Sequence, residues 1–187
     1  MNITLDGYMS GPDAELDWHF DRWDPDIGQM LSKELSKADT ILLGRVTYEA
    51  MAKYWPTRAS DFLCPRDDIA YAVMMNRHHK AVYSKSLKKT TWNNSTLIKG
   101  DIKKEIISLK RPQNGHDKDI ITYGSGKLVT ALIRLNLVDE FQLWIHPVIL
   151  GKGKPLFREV NYTNNLRLLS TKTFDSGVVF AHYEVMK

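Results

Sequence analysis

Cysteine is almost absent from this chain, which has one, Cys64, in 187 residues. A single cysteine cannot form an internal disulfide bond and is typical of a reducing compartment, so we expect a cytoplasmic protein. Long apolar runs are missing too. No stretch approaches the roughly 20 apolar residues that a membrane helix needs, and the N-terminus lacks the charged-then-apolar pattern of a signal peptide. We therefore expect no membrane partner.

Several sequence patterns that define other function classes are also missing. No Gly-x-Gly-x-x-Gly follows a predicted strand with an acidic residue downstream, so the dinucleotide-binding fingerprint is absent. No serine lies in a nucleophile-elbow sequence, which argues against a hydrolase. The six histidines are scattered, apart from the neighbours His78 and His79, and predict no metal site. The net charge of +4 suits a phosphate-bearing ligand but is too small to imply nucleic acid.

Apolar runs and helical periodicity alternate along the chain, without a repeat or a linker that would divide it. The predicted strands are 1–5, 40–43, 80–83, 96–98, 119–123 and 139–150, and the predicted helices start at Pro25, 46, 68, 102 and 128. Asp24 and Asp101 are the predicted caps of two of these helices. The pattern of residues 166–185 predicts a hairpin that turns at Asp175-Ser176-Gly177. We expect one α/β domain over 1–187, with a mostly parallel central sheet, helices on both faces and an antiparallel C-terminal hairpin.

The first candidate binding motif is Gly44-Arg45-Val46-Thr47, directly after the apolar run 40–43. A strand that passes through a glycine into a helix directs free backbone N–H groups outward, where they suit a phosphate. Arg45 adds a permanently charged group that matches phosphate oxygens. This junction predicts an anion site.

Two further junctions carry similar chemistry. Ser84-Lys85-Ser86 follows the predicted strand 80–83, and its hydroxyls and ammonium suit a terminal phosphate. The basic stretch 77–89 resembles a nucleic-acid patch, but its place at a strand end favours a cofactor phosphate. Tyr123-Gly124-Ser125-Gly126 follows strand 119–123, and its glycines let a pyrophosphate approach the backbone. Because ligands of open α/β sheets bind at the carboxyl ends of strands, these motifs together predict one phosphate-rich ligand.

Six motifs carry a resemblance to a known family. They are Thr4-Leu5-Asp6-Gly7, Leu16-Asp17-Trp18, the segment 43–49, the segment 84–87, the segment 123–126 and the segment 147–153. With these motifs in order along the chain, the sequence resembles the dihydrofolate-reductase-like proteins, and most closely the C-terminal reductase domain of the bifunctional riboflavin-pathway deaminase-reductase. The deaminase half is missing, because no His-x-Glu precedes a Pro-Cys-x-x-Cys.

The resemblance implies NADPH as the cofactor and commonly a homodimer. It assigns the phosphate-bearing half of NADPH to Gly44, Arg45 and Thr47, the 2′-phosphate to Ser84 and Lys85, and the pyrophosphate turn to Tyr123, Gly124, Ser125 and Gly126. Since neither Arg45 nor Lys85 has an obvious acidic partner in the sequence, the 2′-phosphate favours NADPH over NADH. The loop with Asp6 and Gly7 would lie near the nicotinamide, with Met9 and Trp18 as substrate contacts.

Asp6 and Asp26 are the candidate catalytic residues. True dihydrofolate reductases carry an acid at the start of the first helix that helps to protonate the pterin. Asp17, Asp24 and Asp26 are the nearest equivalents, and none falls clearly in register. Asp24 and Asp26 are also the acids that a first helical turn favours. Relatives begin several residues earlier, so Met1 predicts either a shortened first strand or a truncated start.

The predicted function is reduction of a small, flat nitrogen heterocycle by NADPH, with hydride passing to a C=N or C=O carbon. The reaction implied by the resemblance is reduction of 5-amino-6-(5-phosphoribosylamino)uracil. No cluster for a substrate phosphate is evident beyond the cofactor residues. Two alternatives remain: dihydrofolate reduction, and a non-catalytic NADPH-binding protein.

Overall fold

A computed structural model describes most of the chain, namely residues 1–22, 24–61, 66–111, 119–158, 160 and 163–186. Cys64 and the polar loop at 113–118 lie outside these residues. Backbone contacts group the chain into two compact units. The terminal unit consists of residues 1–24 and 129–187, and the central unit of residues 25–128. The single domain over 1–187 stays a prediction.

Strands and helices alternate through most of the described chain. In chain order the strands are β1 (Asn2–Thr4), β2 (Tyr8–Ser10), β3 (Ala38–Gly44), β4 (His79–Tyr83), β5 (Ser95–Ile98), β6 (Asp119–Thr122), β7 (Glu140–His146), β8 (Lys154–Pro155), β9 (Leu166–Thr173) and β10 (Val179–Val185). The α-helices are α1 (Pro25–Lys37), α2 (Arg45–Arg58), α3 (Arg66–Arg77), α4 (Ile102–Leu109) and α5 (Gly126–Arg134), and a 3-10 helix covers Asp17–Arg22. The chain is therefore an α/β protein, as the sequence predicts.

The sheet in the central unit is parallel and has the strand order β5-β4-β3-β6. Strand β3 lies between β4 and β6, with Gly44 opposite Tyr83 and Leu42 opposite Thr122. Its residues 41–43 are all apolar and buried. This is typical of a parallel strand, which is covered on both faces. The core around it consists of Leu35, Ile41, Leu43, Tyr48, Met75, Val82 and Trp92. The carboxyl ends of β3, β4 and β6 therefore meet at one edge of this sheet.

The sheet in the terminal unit is mixed and has the strand order β1-β7-β10-β9. Strands β1 and β7 run parallel, with Thr4 opposite His146, and β10 pairs antiparallel with β7 and β9. The predicted C-terminal hairpin is confirmed as β9–β10. Its turn needs Gly177, whose φ of +82° suits a residue without a side chain. The parallel arrangement expected of the central sheet thus holds for β3 to β6, whereas β1, β7, β9 and β10 form their own hydrogen-bonded sheet.

The structure differs from the sequence expectations at a few boundaries. Strand β7 ends at His146 rather than at residue 150, because Pro147 has no N–H to continue a ladder. Helix α2 continues through Pro56 to Arg58, although Pro56 has no N–H to donate to the carbonyl of residue 52. The predicted loop 6–23 contains β2 and the 3-10 helix. Helix α1 begins at Pro25 as predicted, and Asp101 caps α4 by accepting from Lys104 N at 3.0 Å.

We expect Tyr48→Phe to destabilise the protein. The buried Tyr48 hydroxyl accepts hydrogen bonds from the backbone N–H groups of Thr91 and Trp92, both at 2.8 Å. Phenylalanine leaves these donors without a partner, so the free energy of unfolding should fall by about 2 kcal/mol, measured by urea denaturation. Tyr54→Phe on the same helix is the control, because Tyr54 is half exposed. Equal denaturation midpoints for the two variants would contradict the prediction.

Candidate functional site

The three predicted phosphate motifs lie at the same edge of the parallel sheet. Gly44 ends β3, Ser84 follows β4, and Gly124 lies two residues after β6. Because β3 is the middle strand of these three, the turns after β4 and β6 flank Gly44. The structure therefore brings together the turns that the sequence predicts to act together.

Gly44 and the turn after β6 are in direct contact. The Gly44 N–H donates to the Gly124 carbonyl at 3.0 Å. A Cβ atom on Gly44 would overlap Ser125 Oγ and lie 3.0 Å from Ser125 N. Gly124 has a φ of +122°, and a Cβ atom there would lie 3.1 Å from Thr47 Oγ1. Both glycines are thus required for the two turns to approach this closely.

Arg45 has an acidic partner, which corrects the sequence expectation that it has none. Its guanidinium donates to Glu49 Oε2 at 2.9 Å, four residues along α2. Residues at this spacing lie on the same face of a helix, so the pair forms locally. Both side chains are more than 40% exposed, and such a pair is worth only about 0.5 kcal/mol. The interaction is weak enough to leave Arg45 available to a stronger anion.

Ser84 and Lys85 have different environments. The buried Ser84 hydroxyl accepts from the N–H groups of Ser86 at 3.2 Å and Leu87 at 3.0 Å, so it shapes the turn after β4. The Ser84 hydroxyl also lies 3.5 Å from the Ser86 hydroxyl, and either of these two groups can donate to the other. Lys85 is exposed, and no described residue forms an ion pair with it. The turn is therefore organised by a serine and presents a lysine to solvent.

Tyr123 is held by a partly buried partner on α3. The Tyr71 hydroxyl donates to the Tyr123 hydroxyl at 3.0 Å. Burial raises the pKa of Tyr123 to about 12, so the phenol stays protonated near neutral pH. Its side chain packs with the core of the central unit. The geometry gives this tyrosine a role in fixing the turn that follows it, and its predicted contact with the cofactor stays a prediction.

In the terminal unit, Asp6 joins the end of β1 to the turn after β7. Its carboxylate accepts from Thr4 Oγ1 at 2.6 Å, Gly151 N at 2.8 Å and Leu150 N at 3.3 Å. The hydrogen bond from Thr4 is the largest cause that lowers the pKa of Asp6 below its usual value. A carboxylate stabilised in this way acts as an acceptor and is a poor proton donor. Its predicted catalytic role stays a prediction, and the structure adds a role in holding the loop.

The other predicted residues have more ordinary surroundings. Met9, on β2, packs against the apolar core of the terminal unit. Asp26 lies exposed in the first turn of α1, where a carboxylate complements the helix dipole. Trp18 lies in the 3-10 helix, and its ring meets the His146 ring edge to face at 5.2 Å between centroids.

His146 is a site candidate that sequence reasoning missed. It ends β7, is 2% exposed, and its Nε2 lies 3.1 Å from Asn2 Oδ1. The His19 ring lies 5.8 Å from it, and His19 Nδ1 contacts the Leu16 carbonyl. Burial first, then the charges of His19 and Arg22, lower the pKa of His146 to about 4. Nothing in the sequence pairs residues 18 and 19 with residue 146, since they are more than a hundred positions apart and meet only in the tertiary structure.

With this geometry in hand, comparison with known proteins places the chain in a family. The family model for the RibD C-terminal domain matches residues 1–180. The chain belongs to the RibD C-terminal domain family. This confirms the resemblance that the sequence motifs carry.

One curated relative and two solved structures match this chain over most of their length. The chain is 38% identical over 177 residues to the uncharacterized protein YyaP of Bacillus subtilis, covering 95% of this chain and 88% of YyaP. The structure of a putative riboflavin biosynthesis protein from Shewanella sp. PV-4 matches with a TM-score of 0.76 at 18% identity, over 100% of this chain and 97% of that one. Dihydrofolate reductase from Enterococcus faecalis, complexed with NADP(H) and RAB-propyl, matches with a TM-score of 0.61 at 13% identity, over 100% and 94%. The fold is thus dihydrofolate-reductase-like.

Two kinds of feature are absent from the residues that the structure describes. None of their helices combines the length and the apolar character needed to cross a bilayer. Within the same residues, no group of three or more histidine, cysteine, aspartate and glutamate side chains is placed to hold a metal ion.

We expect acidification to destabilise the protein through His146. The folded state keeps the imidazole neutral down to about pH 4, whereas the unfolded chain binds a proton near pH 6.5. Below pH 6.5 the unfolded state therefore binds more protons, and the free energy of unfolding should fall by about 2 kcal/mol between pH 6.5 and 4.

Urea denaturation across this pH range checks the prediction. In His146→Gln the free energy of unfolding should depend less on pH. Part of the dependence should remain, because burial also lowers the pKa of His19. His182→Gln, at a histidine paired with Glu140 on the same sheet, should keep the full slope. An unchanged slope in His146→Gln would show that another group is responsible.

Proposed function

We propose that the protein is an NADPH-dependent reductase of a small, flat nitrogen heterocycle. The observation that carries the proposal is the meeting of the three turns at Gly44, Ser84 and Gly124 along one edge of the parallel sheet. Ligands of such sheets bind at this edge. Membership of the RibD C-terminal domain family supports a reductase of the riboflavin-pathway type.

The chemistry of this edge suits a pyrophosphate. Helix α2 begins directly after Gly44, and no side chain caps its N-terminus, so backbone N–H groups there can bind an anion. Arg45 uses one guanidinium nitrogen for Glu49 and keeps other N–H groups for phosphate oxygens. The absence of a side chain on Gly44 leaves room for Ser125, whose Oγ and N lie beside it.

The turn after β4 suits the 2′-phosphate that distinguishes NADPH from NADH. Lys85 and Ser86 are exposed there, and the pair of Ser84 and Ser86 hydroxyls, 3.5 Å apart, supplies a hydroxyl donor. The Enterococcus dihydrofolate reductase of the same fold is described with NADP(H), which supports a nicotinamide cofactor. When bound, NADPH would supply the hydride, and the residues of this edge would position it.

The proposed substrate class is the aminouracil type reduced in riboflavin biosynthesis. Dihydrofolate reduction is less favoured, because Asp26 lies exposed at a helix start and Asp6 is held as a carboxylate. The same observation favours a non-catalytic NADPH-binding protein as the second candidate. Binding of NADPH without its oxidation by any pyrimidine or pteridine substrate would support that candidate. A homodimer, implied by the resemblance, stays part of the proposal.

We expect Lys85→Ala to weaken NADPH binding about tenfold while leaving NADH nearly unchanged, because a charged hydrogen bond to the 2′-phosphate is lost. Fluorescence titration with both cofactors measures this. Lys103→Ala, an exposed lysine on α4, is the charge-matched control and should change neither affinity. Equal losses for NADPH and NADH in Lys85→Ala would remove the 2′-phosphate assignment.

Gly44→Ala should lower the affinity for both NADPH and NADH by about tenfold or more. The reason is that the new methyl group displaces Ser125 from the turn after β6, where the pyrophosphate is proposed to bind. Gly100→Ala is the matched control, since a Cβ atom there meets only the flexible Glu105 side chain. Titration of both variants, with circular dichroism to verify folding, makes the comparison. Unchanged affinity in a folded Gly44→Ala variant would place the pyrophosphate elsewhere.

A further inference from the structure

The buried polar atoms of the terminal unit that have no hydrogen-bond partner among the described residues include two on neighbouring rings, Trp18 Nε1 and His146 Nδ1. Native structures leave few such atoms, because each costs about 1–3 kcal/mol when it loses water without gaining a partner. Both lie on rings that touch, at the carboxyl ends of the parallel strands β1 and β7. Two such atoms in one place indicate a binding position.

The hydrogen-bonding character of each atom follows from its neighbours. Asn2 Oδ1 can only accept, so His146 Nε2, at 3.1 Å, carries the proton of the neutral ring. His146 Nδ1 is then an acceptor. The indole Nε1–H of Trp18 can only donate. The pair therefore offers one donor and one acceptor on rings whose centroids are 5.2 Å apart and whose planes are inclined by 87°.

We propose that Trp18 and His146 bind the lactam edge of a planar nitrogen heterocycle, in which a C=O and an N–H are adjacent. The carbonyl would accept from Trp18 Nε1, and the N–H would donate to His146 Nδ1. This proposal rests on the proposed function and deepens it, because it names the chemical group by which the substrate is recognised. A uracil-type ring carries this edge.

The surroundings of the pair suit a flat, partly apolar ring. Leu5 and Ile149 follow β1 and β7 and are 65% and 72% exposed, which leaves apolar surface at the same strand ends. Entry requires the 3-10 helix that carries Trp18 to shift, since the two polar atoms are covered. Such helices have poorer hydrogen-bond geometry than α-helices, so this shift costs less than the movement of a packed α-helix.

Calorimetric titration of the protein with uracil and with 1,3-dimethyluracil, both without NADPH, tests the proposal. Methylation removes both N–H donors and keeps both carbonyl groups. We expect uracil to bind and 1,3-dimethyluracil to bind at least about tenfold more weakly. Trp18→Phe keeps an aromatic ring but loses the donor, so its affinity for uracil should fall by about the same factor. His182→Gln, elsewhere in the same sheet, should bind uracil as the unmodified protein does.

A second measurement keeps the test decisive if Trp18→Phe does not fold. In protein labelled with ¹⁵N-histidine, uracil should shift the Nδ1 resonance of His146, assigned with His146→Gln, and 1,3-dimethyluracil should not. Absence of uracil binding, equal binding of the two probes, or an unmoved resonance would overturn the proposal and leave the ring contact as packing only. Because none of these measurements contains NADPH, they can fail while the cofactor proposal holds, and the cofactor proposal can fail while they succeed.

Discussion

The contact between the end of β3 and the turn after β6 is the constraint on which the candidate cofactor site depends. Gly44 donates its N–H to the Gly124 carbonyl, and its missing side chain leaves the space that Ser125 occupies. A side chain at either glycine would separate two turns that parallel pairing has brought to the same edge. Gly44 also precedes the N-terminus of α2, where no side chain caps the backbone N–H groups and the proposed pyrophosphate would bind.

The cations at this edge of the sheet have weak partners or none among the described residues, so a phosphate can bind them. The ion pair of Arg45 with Glu49 is exposed and worth little, so a phosphate that binds several guanidinium N–H groups competes well with it. Lys85 has no such partner among the described residues. The buried groups nearby are hydrogen-bonded, as in the Tyr71–Tyr123 pair. The central unit thus combines a rigid, satisfied interior with cations that are free to meet a ligand.

The terminal unit shows the opposite arrangement at its strand ends. Asp6 is fully engaged by hydrogen bonds that close the loop, whereas Trp18 and His146 each keep a buried polar atom without a partner. Satisfied groups stabilise the fold, and unsatisfied ones lower the cost of binding a polar ligand, because the ligand replaces a missing interaction.

The sequence by itself determined the α/β class, most strand and helix positions, the C-terminal hairpin and the family, because these depend on local periodicity, turn residues and contiguous motifs. It also placed the three phosphate motifs correctly at strand ends. The pairing of Arg45 with Glu49 is local and follows from their spacing of four residues on a helix, whereas the hydrogen bonds that hold Asp6 as an acceptor come from residues 150 and 151 and could not be predicted. Only the tertiary structure decided that His146 lies against Trp18, because β7 pairs with β1 and the 3-10 helix folds back on the end of β7, which brings together residues more than a hundred positions apart. Contacts of that range leave no periodic trace in a single sequence, since they arise from strand order rather than from spacing along the chain.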